Sequence, residues 1–115
     1  MPYMLNGELL EISSEPRLQD GTLWVPLRKL GTALGGSADW ISPNQVAVLY
    51  LNDHVITLTV GDPTADIDNE KFELQAAPFV EDGETWVPVR LFERNLGYTL
   101  AADARNSIVD LTATV

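Results

Sequence analysis

The side chains best suited to holding a cation lie in one short stretch. Asp62, Asp66, Asp68, Glu70 and Glu73 supply carboxylate oxygens, and oxygen donors at alternate positions suit calcium. The stretch lacks the loop spacing and the central glycine of an EF-hand. In a strand, Asp66, Asp68 and Glu70 would share one face, because side chains alternate with a period of two. A solvated strand face is the expectation, docking of a basic partner is the functional alternative, and no metal is assigned.

His54 is the single histidine. A general base needs a nucleophile or an acid within reach, and the adjoining Asn52-Asp53 reads as a turn instead. No Gly-x-Ser-x-Gly, phosphate-binding loop, dinucleotide fingerprint or His-Glu-x-x-His occurs. Cysteine is absent, which removes disulfides, thiolate metal sites and a cysteine nucleophile. No catalytic residue and no cofactor are assigned, and enzyme activity is not expected.

Arg28 and Arg90 fall in the first turn of predicted helices, where the helix dipole disfavours a cation. Each is expected to form a structural ion pair with a hairpin carboxylate, for which Glu8, Glu11, Glu70 and Glu73 are available. Capture of an anionic ligand is the alternative. Trp24 and Trp86 are expected in the core, since an aromatic buries ~150–250 Å2. Trp40 has no counterpart in the second half, which makes it a slightly better candidate for a binding surface than Trp24 or Trp86, although a core position is the expectation for it as well.

The elements that must position these residues come as a repeat. Asp20-Gly21-Thr22-Leu23-Trp24-Val25-Pro26-Leu27-Arg28 returns as Asp82-Gly83-Glu84-Thr85-Trp86-Val87-Pro88-Val89-Arg90, a shift of 62 positions (86 − 24). The shift also aligns Pro16 with Pro78, Leu34 with Leu96 and Gly35 with Gly97. The shared residues are turn, cap and core types. Asn6-Gly7, Asp20-Gly21, Asp68-Asn69 and Asp82-Gly83 predict hairpins, because these residues accept the positive φ of a type I′ turn. Leu27, Leu30 and Leu34 form one stripe of a short helix begun by Pro26 and ended by Gly35-Gly36. Val89, Phe92 and Leu96 predict a second helix, from Pro88 to Gly97. Strands are predicted over 37–40, 46–51 and 55–60, with turns at Ser42-Pro43-Asn44 and Asn52-Asp53, and again over 98–100 and 108–111.

The fold expected is α+β and mostly antiparallel β. It consists of two fused β-β-α-β-β repeats that share one core, each with one short helix. Each repeat alone has roughly 55 to 60 residues, near the lower limit for independent folding. A single domain over 1–115 is therefore expected, with repeat one over 3–60 and repeat two over 65–115. Apolar residues make up 45% of the chain, enough for a usable core without staples.

Seven basic against 17 acidic residues leave a net charge of −10. That argues against nucleic acid and anionic membranes as partners, since both repel a polyanion. No apolar run approaches the ~18 residues of a membrane helix, so membrane insertion is not expected. The N-terminus lacks a basic segment followed by an apolar one, so no signal peptide is expected.

At Trp24-Val25-Pro26-Leu27-Arg28 through Leu34-Gly35, and at Trp86-Val87-Pro88-Val89-Arg90 through Leu96-Gly97, the chain resembles the copper amine oxidase N-terminal-like domain, or stalk domain. The resemblance covers nearly the whole chain. It departs at Trp40-Ile41, where the family has Trp-Asp, and at Ala102, which replaces that tryptophan before Asp103. The resemblance implies a non-catalytic accessory module, secreted or on the cell surface, of Gram-positive bacteria and their phages. It does not imply amine oxidation, and one histidine could not supply a three-histidine copper site.

The leading expectation is a noncatalytic binding or scaffold module that acts by protein–protein contact, at a cell envelope or in a phage particle. Its contact surfaces would be sheet edges and the acidic hairpin from Asp66 to Glu73. One alternative is a small acidic inhibitor, phage-encoded or not, that occupies a basic site on a host protein. Another is a wall-carbohydrate binder that uses tryptophans. Self-association through open edges is a further possibility. The resemblance points to the cell surface, while the lack of a leader keeps an intracellular location open.

Overall fold

The computed structural model describes residues 3–41, 43–93, 96–103, 105–106 and 108–113. The chain runs β1 (Tyr3–Leu5), β2 (Glu8–Leu9), β3 (Arg17–Gln19), β4 (Thr22–Pro26), α1 (Leu27–Ala33), β5 (Ser37–Ile41), β6 (Val46–Leu51) and β7 (His54–Thr59). It continues with β8 (Thr64–Ile67), β9 (Glu70–Glu73), β10 (Phe79–Glu81), β11 (Glu84–Pro88), a 3₁₀ turn (Val89–Phe92), β12 (Tyr98–Asp103) and β13 (Ile108–Ala113). The architecture is α+β and mostly antiparallel.

The hairpin turns form where local chemistry favours them. At Asn6-Gly7, Asp20-Gly21, Asn52-Asp53, Asp68-Asn69 and Asp82-Gly83 both central residues have positive φ. That geometry matches the right-handed twist of the flanking strands. Of the turn expected at Ser42-Pro43-Asn44, Ser42 lies outside the described residues. Gln45 completes that turn with φ 56°.

α1 buries Leu27, Leu30 and Gly31, and Gly35 ends it at φ 98°. The second helix is a correction to the sequence reading. Only one 3₁₀ turn forms, because Glu93 is already extended at φ −82°, ψ 150°. The physical reason lies in burial. Val89, Leu91 and Phe92 are all buried, and a tight turn directs three of four consecutive side chains inward where an amphipathic helix would direct fewer. Valine and phenylalanine are also weaker helix formers than the leucines of α1. Leu96 reaches the core nonetheless. Arg94 and Asn95, part of the expected helix, lie outside the described residues.

The described residues form three sheets: β12-β13-β1-β2, β10-β11-β4-β3 and β5-β6-β7-β8-β9. In the middle sheet β11 pairs with β4 antiparallel, so that Val87 faces Val25, Trp86 faces Pro26 and Pro88 faces Trp24. Val25 and Val87, 62 positions apart (87 − 25), thus meet at the centre of a local two-fold, and the Trp-x-Pro segments around them cross-pair tryptophan with proline. β13 lies parallel to β1, with Tyr3 opposite Val109 and Leu5 opposite Leu111. Ala113 N–H donates to Asn6 Oδ1 at 2.9 Å and fastens this seam. One buried cluster runs from Tyr3 through Leu30, Leu49 and Phe92 to Leu111, so both halves contribute to the same core.

Candidate contact groove

The open groove that collects the most chemistry lies between the start of α1, the edge strand β5 and the β10–β11 hairpin. Its volume is about 500 Å3. Leu27, Ala38 and Ala47 line it on the apolar side, Arg28, Asp39 and Trp40 stand at one margin, and Val80, Glu84 and Thr85 form the opposite wall. Trp40 stands across the ladder from Ala47. With only methyl side chains at 38 and 47, the hollow beside the indole stays open. Against the core position expected from the sequence, Trp40 is 44% exposed, because β5 is an edge strand and the small Ala38 and Ala47 beside it give the indole nothing to pack under.

The wall opposite is braced. Lys29 Nζ donates to Ser14 Oγ at 2.9 Å and lies 3.2 Å from Glu84 Oε1. Ser14 in turn donates to Glu84 Oε2 at 2.6 Å, and Tyr3 OH donates to the Ser14 carbonyl at 2.8 Å. Helix, N-terminal segment and hairpin are held in one position by these bonds. Burial, with Glu84 and Glu15 nearby, pushes the Tyr3 phenol above its ordinary range, so it stays a neutral donor.

Arg28 and Arg90 part company at this point. Arg90 Nη1 lies 3.1 Å from Glu93 Oε1, three residues along. The position equivalent to Glu93 in the first half is Gly31 (93 − 31 = 62). A Cβ on Gly31 would collide with Leu49 Cδ1, so packing keeps a carboxylate out of that position. Among the described residues Arg28 has no ion-pair partner. The hairpin carboxylates expected for these arginines, Glu8, Glu11, Glu70 and Glu73, reach neither of them. Glu73 shares a second hollow with Arg90, yet its carboxylate accepts from Thr64 Oγ1 at 2.6 Å instead.

The acidic run occupies the β8–β9 hairpin and its approach. Asp62 accepts from Thr64 N–H at 2.9 Å, and Asp66 pairs with Lys71 at 3.1 Å. Asp68 accepts from His54 Nδ1 and from Val55 N–H. Its side-chain bond with His54, then the Val55 N–H, hold its carboxyl below the ordinary value. Glu70 is exposed. Among the described residues no three His, Cys, Asp or Glu side chains converge in a way that could hold a metal. Much of the run is engaged within its own hairpin.

Trp24 and Trp86 are 5% and 4% exposed, which removes them as open platforms. Phe79 packs edge-on against Trp24 with centroids 4.8 Å apart. Arg17, equivalent to Phe79 at the 62-residue shift (79 − 17), lies 4.6 Å from the centroid of Trp86 and 2.6 Å from Glu81. Residues 17 and 79 therefore each cover the other half's tryptophan. Sequence reasoning did not single out Arg17, Lys29, Asp39 or Val80. A usable signal was present: Asp39, Trp40 and Gly31 give way to Ala101, Ala102 and Glu93 in the second half.

The copper amine oxidase N-terminal domain model matches residues 4–111. The search of curated proteins and that of solved structures found no match.

Proposed function

The chain belongs to the copper amine oxidase N-terminal domain family, a non-catalytic stalk domain, and on that premise we propose that it is a non-catalytic module acting by protein contact through the groove beside Trp40. The observation that carries this reading is an exposed tryptophan and an arginine without an ion-pair partner among the described residues, both lining one open hollow. Both features occur where the internal repeat breaks. The core residues Trp24 and Trp86 recur at the shift, whereas Trp40 and the glycine that frees Arg28 do not. Large exposed aromatics and arginines are the residue types that dominate contact energies.

The acidic hairpin is a weaker candidate, since Asp66 and Asp68 already hold Lys71 and His54. Catalysis forms no part of the proposal, because His54 is turned to Asp68 and not into the groove.

Photo-crosslinking tests the proposal. A diazirine side chain at Thr85, in the groove wall, is irradiated with the full chain in extracts of the source cell. A crosslinked partner protein that disappears in a Trp40→Ser background is expected. Crosslinks that persist unchanged in that background contradict the reading. Loss of all protein crosslinks, with retention of N-acetylglucosamine polymer by the wild type alone, would establish a carbohydrate binder instead.

A further inference from the structure

We propose that the occupant of this groove is an extended peptide strand of a partner protein, added along the free edge of β5, with a carboxylate of the peptide received by Arg28. The inference rests on the reading of the groove as a protein-contact site and specifies how contact is made.

β5 ends its sheet, and its outer edge has no strand partner among the described residues. Unpaired edges attract other strands, and proteins blunt them with charge, shortness or proline. The other edges are blunted. β2 has two residues, β3 and β10 have three each and expose one large apolar side chain apiece, Leu18 and Val80, and β9 carries Glu70, Lys71 and Glu73. β12 exposes only Thr99 and the small or charged residues Ala101, Ala102 and Asp103. β5 instead exposes two large apolar side chains, Trp40 and Ile41, which alternate to opposite faces. Asp39 is its one charge, and lysine and proline are absent from it. It is five residues long, or about 17 Å at a strand's rise, ample for a run of ladder hydrogen bonds.

Charge selects the occupant. Arg28 lies beside this edge and has no ion-pair partner among the described residues, in a chain with 17 acidic side chains. A guanidinium fork accepts a carboxylate in two parallel hydrogen bonds. A strand added to β5 would present alternate side chains toward the groove, where Trp40 offers an aromatic face and Arg28 a charge. A second copy fits less well, because two β5 strands paired about their centres would set Asp39 against Asp39, an unfavourable like-charge pair.

The experiment selects short random peptides displayed on phage against the full chain, with counter-selection on the Arg28→Gln variant. Enriched peptides are expected to alternate apolar residues with an acidic residue at a fixed place. Arg28→Gln should weaken such a peptide roughly tenfold, and Arg28→Lys should restore part of the loss. Bound peptide should slow hydrogen exchange at the amides of β5. N-methylation of the peptide at one parity of positions should abolish binding, while the other parity is tolerated. Both variants alter exposed side chains, and unchanged thermal melting confirms that they fold. Peptides that shift Trp40 fluorescence but tolerate N-methylation at either parity, with β5 exchange unchanged, would overturn strand addition and leave the contact groove standing. Failure to enrich any peptide dependent on Trp40 and Arg28 would overturn both.

Discussion

Leu49 fills the space that a side chain on Gly31 would need. This contact decides more than local packing. It bars from the first half the carboxylate that Glu93 supplies to Arg90 in the second, and so leaves Arg28 open to the groove. Gly31→Ala gains about 1 kcal/mol of helix propensity but must displace a fully buried leucine, a strain of roughly 1–3 kcal/mol. A net loss of stability is expected in urea denaturation, with a smaller loss in a Leu49→Val background. An equal loss in both backgrounds would show that Leu49 is not the obstacle.

Gly36 is constrained by backbone. A Cβ there would meet the backbone carbonyl oxygen of Tyr50, in the strand β6 that β5 pairs with. Gly36→Ala is expected to cost about 2 kcal/mol or more, because a carbonyl cannot swing aside as a side chain can. Gly7→Ala meets nothing within 4 Å and should cost about 1 kcal/mol, the strain of its left-handed φ alone. Chemical denaturation of the two variants side by side checks the order.

The two buried tryptophans differ in their N–H groups. Trp24 Nε1 reaches the Gln19 carbonyl at 3.4 Å, whereas Trp86 Nε1 is buried without a partner among the described residues. An orphaned buried donor costs about 1–3 kcal/mol. Trp86→Phe sheds that orphan and should destabilise by about 1 kcal/mol less than Trp24→Phe. Equal losses in thermal or urea unfolding would contradict this.

Asp68 links stability to acid. Its folded carboxyl titrates below the ordinary 3.8, chiefly through the bond to His54 and then through the Val55 N–H. A depressed carboxylate contributes stability that is fully present above the unfolded value. The contribution is lost as pH falls below 3.8 through the lower folded value. Carbon-detected NMR titration should place the Asp68 midpoint below 3.8. His54→Ala should raise the midpoint part of the way, since the backbone donor remains. An unmoved midpoint in that variant would dismiss the histidine as the cause.

The hairpins were legible in the chain because the positive φ of Asn6, Asp20, Asp68 and Asp82 is a local preference of those residues and their successors. α1 was legible because its leucine stripe and the glycine that stops it are neighbours in sequence. The second helix was not, because Val89, Leu91 and Phe92 all turn inward and only the packed core dictates that. The parallel seam of β1 with β13 joins opposite ends of the chain and leaves no local mark. Trp40 was legible as a candidate through its lack of a counterpart. The freedom of Arg28 was not, because it depends on Leu49 lying against Gly31, a contact made only when β6 packs on α1.

The most direct measurement of whether Trp40 and Arg28 form one protein-contact site is a double-mutant cycle on the affinity of the crosslinked partner, using Trp40→Ser, Arg28→Gln and the pair. Each single change should weaken binding, and the double change should weaken it by less than the sum, as residues sharing one bound segment do. Affinity unchanged in the double variant, together with a loss on Asp66→Asn and Glu70→Gln, would place the contact on the acidic hairpin and contradict the groove.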